Sequence, residues 1–226
     1  LTSRATKRFL EAYDASTRHQ EKVVQWLKEK KLLTVNDKRD SREMGVMANV
    51  GRNYAYYSPI HRVLVKFLPR LKGKKIVQVG GATGLYVDFL QSLGAKSVNL
   101  DFHLPYLRAG KSIGNRRSVQ ANAKDLPFKK NSFDAVLSDH FLLSSYVNDH
   151  PILLEFHRIL KPNGVAIISG IIPWLWKDSP RLRDIVKRLF DVIEVRGLHL
   201  GTKRPFPILV LRKKGNVFPE VRPRNN

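Results

Sequence analysis

The sequence predicts an α/β chain: a doubly wound sheet, mostly parallel with an antiparallel C-terminal strand, preceded by a helical N-terminal extension. Three observations carry this reading. From Lys75 onward, short β-rich runs alternate with runs of helical period, the order that βαβ units produce. The first of them, "VQVGGATGLY" (residues 77–86), is an apolar strand that runs directly into a small-residue loop and then a helix. The last two β-rich runs are joined by a glycine-containing turn, which suits an antiparallel hairpin at a sheet edge.

The elements follow in order. Residues 1–70 form a basic helical extension, 71–214 the α/β domain and 215–226 a basic tail. In the extension, "KVVQWLKEKKLL" sets Val23, Val24, Trp26, Leu27 and Leu32 at helical spacing, and "SPIHRVLVKFLPRL" predicts a second helix starting at Ser58–Pro59 and ending near Pro69. The strands are "KIVQVG", "SVNLDF", "SVQANA", "FDAVLSDH" and "GVAIISG"; the helices between them are "LYVDFLQSLG", "LPYLRAGK" and "HPILLEFHRILK". A further helix, "SPRLRDIVKRLF", leads to "DVIEVRGLHL" and "PFPILVLRKK", with Gly201 in the turn between them.

Composition narrows the function. With no cysteine there is no disulfide, thiolate metal site or cysteine nucleophile, and no H-x-x-x-H pair suggests a metal. No apolar run reaches the roughly 20 residues of a spanning helix. The chain begins at Leu1, so its natural start is expected upstream, and a cytoplasmic or organellar (mitochondrial) rather than secreted protein is expected. The net charge of +22 points to a polyanionic partner. Residues 1–75 carry 18 Lys/Arg against 7 Asp/Glu, residues 76–170 carry 10 against 7, and residues 171–226 carry 13 against 5. The excess therefore sits on the flanks, in clusters such as "KRDSR", "GNRR", "KRPF" and "RKKGN". RNA or a ribonucleoprotein is the first expected partner, and an anionic membrane surface the second.

The glycine loop excludes two ligands. Counted from Gly80, a dinucleotide fingerprint needs glycines where Ala82 and Leu85 stand, and no Gly-Lys-Ser/Thr ending makes it a phosphate loop. What remains is strand, Gly80-Gly81-Ala82-Thr83-Gly84, helix, and then an acid, Asp101, at the end of the next strand, placed to accept both hydroxyls of a ribose. Glycines there are expected to let the backbone approach a ligand at the carboxyl ends of the strands.

With "ANAKDLPFKKNSFDAVLSDH" and "LLEFHRILKPNGVAIISG" following in order, residues 74–170 resemble the class I S-adenosylmethionine-dependent methyltransferases, a Rossmann-like family, and within it the members with an LPF…sFD stretch and an R-x-LKP-x-G turn. The resemblance implies S-adenosylmethionine as cofactor. It implies that Gly80, Gly81, Ala82 and Gly84 pass under its methionine part, with Gln78 below them, and that Asp101 and the adjoining Phe102 meet the ribose. Asn122 would accept from the adenine amino group, with Ala123 or Leu126 against the ring. Ser138 to Phe141 would face the sulfonium and the acceptor. Tyr54, Tyr56 and Tyr57 are either a cation–π face over the cofactor or ordinary core and surface aromatics. Three positions depart from the family: Gln78 and Asn122 replace acids, and Ala82 replaces a glycine, which it does without strain where φ is negative.

Methyl transfer is an in-line displacement that needs a base only for a weakly nucleophilic O–H or N–H. His140, with Asp139 beside it, is the best-placed base by sequence; the competing reading is a packed loop histidine. Trp174 and Trp176 either stack on bases or lid the pocket. The expected function is S-adenosylmethionine-dependent methyl transfer on or bound to RNA. The alternatives are a domain that keeps the fold without turnover, and a small-molecule or lipid methyltransferase.

Overall fold

The structure, a computed structural model, describes residues 54–112, 117–139, 141–142, 149–170, 179–199 and 205–215. The chain runs α1 (Tyr54–Phe67), β1 (Lys75–Val79), α2 (Leu85–Ser92), β2 (Lys96–Asp101), α3 (Leu104–Ser112), β3 (Ser118–Gln120), β4 (Phe133–Asp139), α4 (Asp149–Ile159), β5 (Leu160–Ser169), α5 (Pro180–Leu189), β6 (Phe190–His199) and β7 (Pro205–Lys213). The seven strands form one sheet in the order β3-β2-β1-β4-β5-β7-β6. The pairs β3·β2, β2·β1, β1·β4 and β4·β5 are parallel, and β7 runs antiparallel between β5 and β6. This is the doubly wound, mostly parallel architecture that the sequence predicts.

Strand periodicity splits the core into two layers. Val77, Val79, Val136, Ala166, Ile168 and Leu209 pack beneath α4 and α5, through Ile152, Phe156, Ile185 and Val186. Their neighbours Ile76, Ala135, Leu137, Val165, Ile167 and Val210 pack beneath α1 and α2, through Val63, Leu64, Tyr86 and Leu90. Because both faces are covered, the central strands are near-continuous apolar runs. The polar exceptions Gln78, Ser97, Asn99 and Asp101 alternate with the other layer's residues, which puts them on the α2 side. The strand order reverses beside β1, so the crevice at the carboxyl ends of β1, β2 and β4 is where such sheets bind ligands.

Several expectations need correction. The α1 helix is already formed at Tyr54, four residues before the Ser58–Pro59 start; proline inside a helix removes one rung, and the buried Ile60, Val63, Leu64 face holds the rest. The run "SVQANA" is strand only to Gln120, because Asn122 turns the chain. The "KPNG" turn is taken up within β5: Phe133 pairs with Leu160 and Ala135 with Val165, and Asn163 between them has φ 63°. In "RKKGN", Lys213 is buried and is no part of a surface cluster. The predicted helix at 22–33, the Gly201 turn and residues 216–226 lie outside the described residues. No helix among the described residues is long and apolar enough to cross a membrane.

Candidate functional site

The site is built on the end of β1. After Val79 the amides of Gly80 and Gly81 both donate to the Leu100 carbonyl of β2, at 2.8 and 3.3 Å, so the chain is pulled sideways over the neighbouring strand. Gly80 has φ 73°, and a Cβ there would lie 2.6 Å from the ring of Phe141, which presses on the loop from the end of β4. Gly81 is required for a different reason. A Cβ on it would meet Asn99 Oδ1 at 2.2 Å and Gln78 Cδ at 2.8 Å. The missing side chain at Gly81 thus makes room for two buried amides below the loop, where the sequence suggested only room for a ligand. Gly84, at φ 75°, precedes the first residue of α2 and turns that helix's N-terminus toward the loop.

Ala82 departs from its expected conformation. Its φ is 49°, the left-handed region, where an L-residue costs of order 1–2 kcal/mol. Two hydrogen bonds account for this. The Ala82 N–H donates to Asp101 Oδ2 at 2.8 Å, and its carbonyl accepts from Asn99 Nδ2 at 2.8 Å. Asp101 is buried and accepts a second bond on Oδ1, from the His103 amide at 2.8 Å. Burial pushes the Asp101 carboxyl above its ordinary pKa, and the amides of His103 and Ala82 pull it part of the way back. The Phe102 amide lies against the same carboxylate and acts in the same direction. Phe102, 63% exposed, projects beside this carboxylate with its ring edge-on to His103.

The Ala121 amide donates to the Asp101 carbonyl at 3.2 Å, which brings the loop after β3 to the same crevice. Asn122 is exposed there, and its Oδ1 accepts from the Lys124 amide at 3.0 Å; the carbonyl expected to meet a base therefore has one lone pair already used. Ala123 and Leu126 are buried in the core, leaving little of either side chain to a ligand. Ser138, the penultimate residue of β4, is fully buried. Asp139, half-buried, accepts a hydrogen bond from the Ser169 hydroxyl at the end of β5. His140, Trp174, Trp176 and the side chains of Tyr54, Tyr56 and Tyr57 lie outside the described residues.

Sequence reasoning missed Asn99, Gly110 and the Glu155–Arg158 pair. Asn99 had a signal, a polar amide inside the apolar run "SVNLDF". Gly110 had one too, a glycine inside a helix: a Cβ there would come within 2.3 Å of the Thr83 carbonyl, so α3 packs directly on the loop. Glu155 accepts from the Leu126 amide, while Arg158 donates to the carbonyls of Leu126 and Phe128 at 2.7 Å each. That pair clasps the loop containing Asn122 from about thirty residues away, a reach no local pattern reveals.

Residues 77–168 match the family model described as a methyltransferase domain. The ubiquinone/menaquinone biosynthesis C-methyltransferase of Psychromonas ingrahamii is 32% identical over 152 residues, 61% of this chain and 59% of that protein. The chain spans about half the length of the curated relatives it matches. Among solved structures, a methyltransferase from Haloferax volcanii in complex with the Trm112 activator superposes with TM-score 0.63 at 15% identity, over 81% of this chain and 100% of that one. An S-adenosylmethionine-dependent methyltransferase from Mesorhizobium loti gives TM-score 0.56 at 19% identity, over 71% and 99%. At these identities the two structures share the fold.

Proposed function

We propose, from the match of residues 77–168 to the methyltransferase-domain model, that this chain is an enzyme transferring the methyl group of S-adenosylmethionine to a small-molecule acceptor. The observation that carries the reading is the buried Asp101 carboxylate, anchored by backbone amides at the end of β2. That is an acceptor pair for the two hydroxyls of a ribose. One further atom fits: Ser138 Oγ, near the end of β4, is buried without a hydrogen-bond partner at the same edge of the sheet. Buried polar groups are nearly always paired, so an unpaired one at that edge favours a ligand there.

When bound, the cofactor supplies a methyl group made electrophilic by its sulfonium. The chain's part is to bind and orient: Asp101 fixes the ribose, and the loop at Gly80–Gly84 sets the depth of the methionine part. Ser138 and Asp139 at the end of β4 face the acceptor. His140, next to them, is the base this reading assigns for an acceptor that must lose a proton, and the Ser169 hydroxyl on Asp139 orients that carboxylate. The quinone C-methyltransferases among the relatives favour a small acceptor over RNA. One observation favours the second reading, methylation on or beside RNA: the net charge of +22, concentrated outside the cofactor core.

Calorimetric titration with S-adenosylmethionine tests the reading. We expect micromolar binding, weakened about 10- to 100-fold in Asp101→Ala, the range for losing hydrogen bonds to a charged group. Labelled methyl transfer to a quinol pool and to RNA fractions then separates the two acceptor classes. Absence of binding in the wild-type chain would mean that the fold has been kept without its cofactor.

A further inference from the structure

We propose that Asn99 is the positioning residue of the cofactor loop: its side-chain amide holds Ala82 in the left-handed conformation that keeps the Ala82 N–H on Asp101. As a statement about cofactor affinity, this rests on the function proposed above. The clamp itself is a property of the folded chain and is measurable with no ligand.

The geometry is specific. Ala82 is restrained on both sides, by Asp101 on its N–H and by Asn99 on its carbonyl, each at 2.8 Å. An unrestrained alanine relaxes to negative φ, which would swing the N–H off the carboxylate and the carbonyl off the amide. Asn99 is fully buried, and a long contact from Nδ2 to Ser118 Oγ, 3.5 Å, lies on its β3 side. The orientation of its amide follows from chemistry: the Ala82 carbonyl only accepts, so the nitrogen faces it. That choice leaves Asn99 Oδ1 buried and unpaired beneath Gly81, in space available only because residue 81 has no Cβ. Gly81, Ala82 and Asn99 therefore work as one unit. An orphaned acceptor is tolerated below the loop so that the donor above it can hold a strained residue in place. Where a glycine would adopt this conformation freely, the chain has an alanine and a buried amide.

The test is a double-mutant cycle on the full chain: wild type, Asn99→Ala, Ala82→Gly and the double variant. Each is measured for thermal midpoint and for S-adenosylmethionine affinity. Cavity and packing losses from Asn99→Ala are common to both backgrounds and cancel in the cycle. Glycine adopts positive φ without the penalty, so it does not need the clamp. We expect Asn99→Ala to weaken cofactor binding about tenfold beside Ala82 and twofold or less beside glycine, a ratio of about fivefold or more that corresponds to the lower end of the alanine penalty. Asn99→Ser, which keeps a hydroxyl donor and disturbs packing less, should fall between and serves if the alanine variant does not fold. Equal losses in both backgrounds would overturn the proposal and leave Asn99 as packing. If the wild type binds no cofactor, the proposed function fails, and the cycle in thermal midpoint alone decides the clamp.

Discussion

The two ends of the sheet use their polar groups differently. At the amino ends of the strands they are tied together. Asp134 accepts from the Lys75 amide at 2.8 Å and from Lys161 Nζ at 2.9 and 3.0 Å, with Lys74 3.8 Å away. Lys213, buried, donates to Asn131 Oδ1 and to the Leu160 carbonyl, both at 2.7 Å. The exception at that end is His157 Nε2, buried without a partner beside the Phe190 ring. Toward the carboxyl ends, Gln78, Asn99 and Ser138 each bury an unpaired oxygen, and Ala82 sits at positive φ. An unmet buried group costs about 1–3 kcal/mol, and a strained residue a similar amount. Positive φ occurs at both ends, at Asn131 and Asn163 as well as Ala82, but asparagine visits that region readily and alanine does not, and the unpaired oxygens of Gln78, Asn99 and Ser138 lie toward the carboxyl ends.

The sharpest way to break this comparison is Gly81→Ala. The added methyl would overlap Asn99 and Gln78, both fixed in the sheet, so the loop must lift away from Asp101. We expect cofactor affinity to fall more than about 100-fold and stability to drop about 1–3 kcal/mol, the range for overpacking a filled site. Affinity within threefold of wild type would show that the loop moves freely and that its exact path does not set binding.

The next effect belongs to the other end. Asp134→Ala leaves the Lys75 amide and the Lys161 ammonium without their acceptor and should cost about 2 kcal/mol by urea denaturation, with cofactor affinity unchanged. Its pH dependence has a fixed sign. The lysines and the Lys75 amide hold the Asp134 carboxyl below its ordinary 3.8, outweighing the effect of burial. Its stabilisation is therefore present above about pH 4 and is lost as pH falls through the folded value. The gap between wild type and variant should close in acid. A variant that lost cofactor binding along with stability would show that the two ends are not independent.

Much of this was legible. The strands follow from β-branched runs between helical periods, and Asp101 from its place at the end of the second one. Ala82 illustrates what was not legible. Its φ is set by partners 17 and 19 residues away, and sequence alone supports the opposite, unstrained expectation. Lys213 looked like surface charge because "RKK" is locally polar, and only the turn at Asn131 and the start of β5 give it acceptors. The Glu155–Arg158 clasp fails the same way: the i,i+3 spacing is visible, the carbonyls it reaches are not. Local rules recover the elements, whereas the site depends on contacts across the sheet.

The smallest predicted effect sharpens the contrast through the sign of its titration. Asp88, half-buried in the first turn of α2 just beyond the glycine loop, is the reverse of Asp134: burial raises its carboxyl from 3.8 to about 6. The folded state thus holds the proton more tightly than the unfolded one. The contribution of Asp88 to stability is therefore greatest below pH 3.8, falls as pH climbs to 6, and is flat above. Two pKa units correspond to about 2.7 kcal/mol, which solvent access to a half-buried group reduces to about 1 kcal/mol. Asp88→Asn removes the titration. We expect the variant to be about 1 kcal/mol more stable than wild type at pH 7 and no more stable at pH 3.5, measured by urea midpoints. A constant difference across that range would mean that Asp88 titrates alike folded and unfolded, and a variant less stable than wild type at pH 7 would mean that the free amides of the α2 N-terminus hold the carboxylate more strongly than burial penalises it.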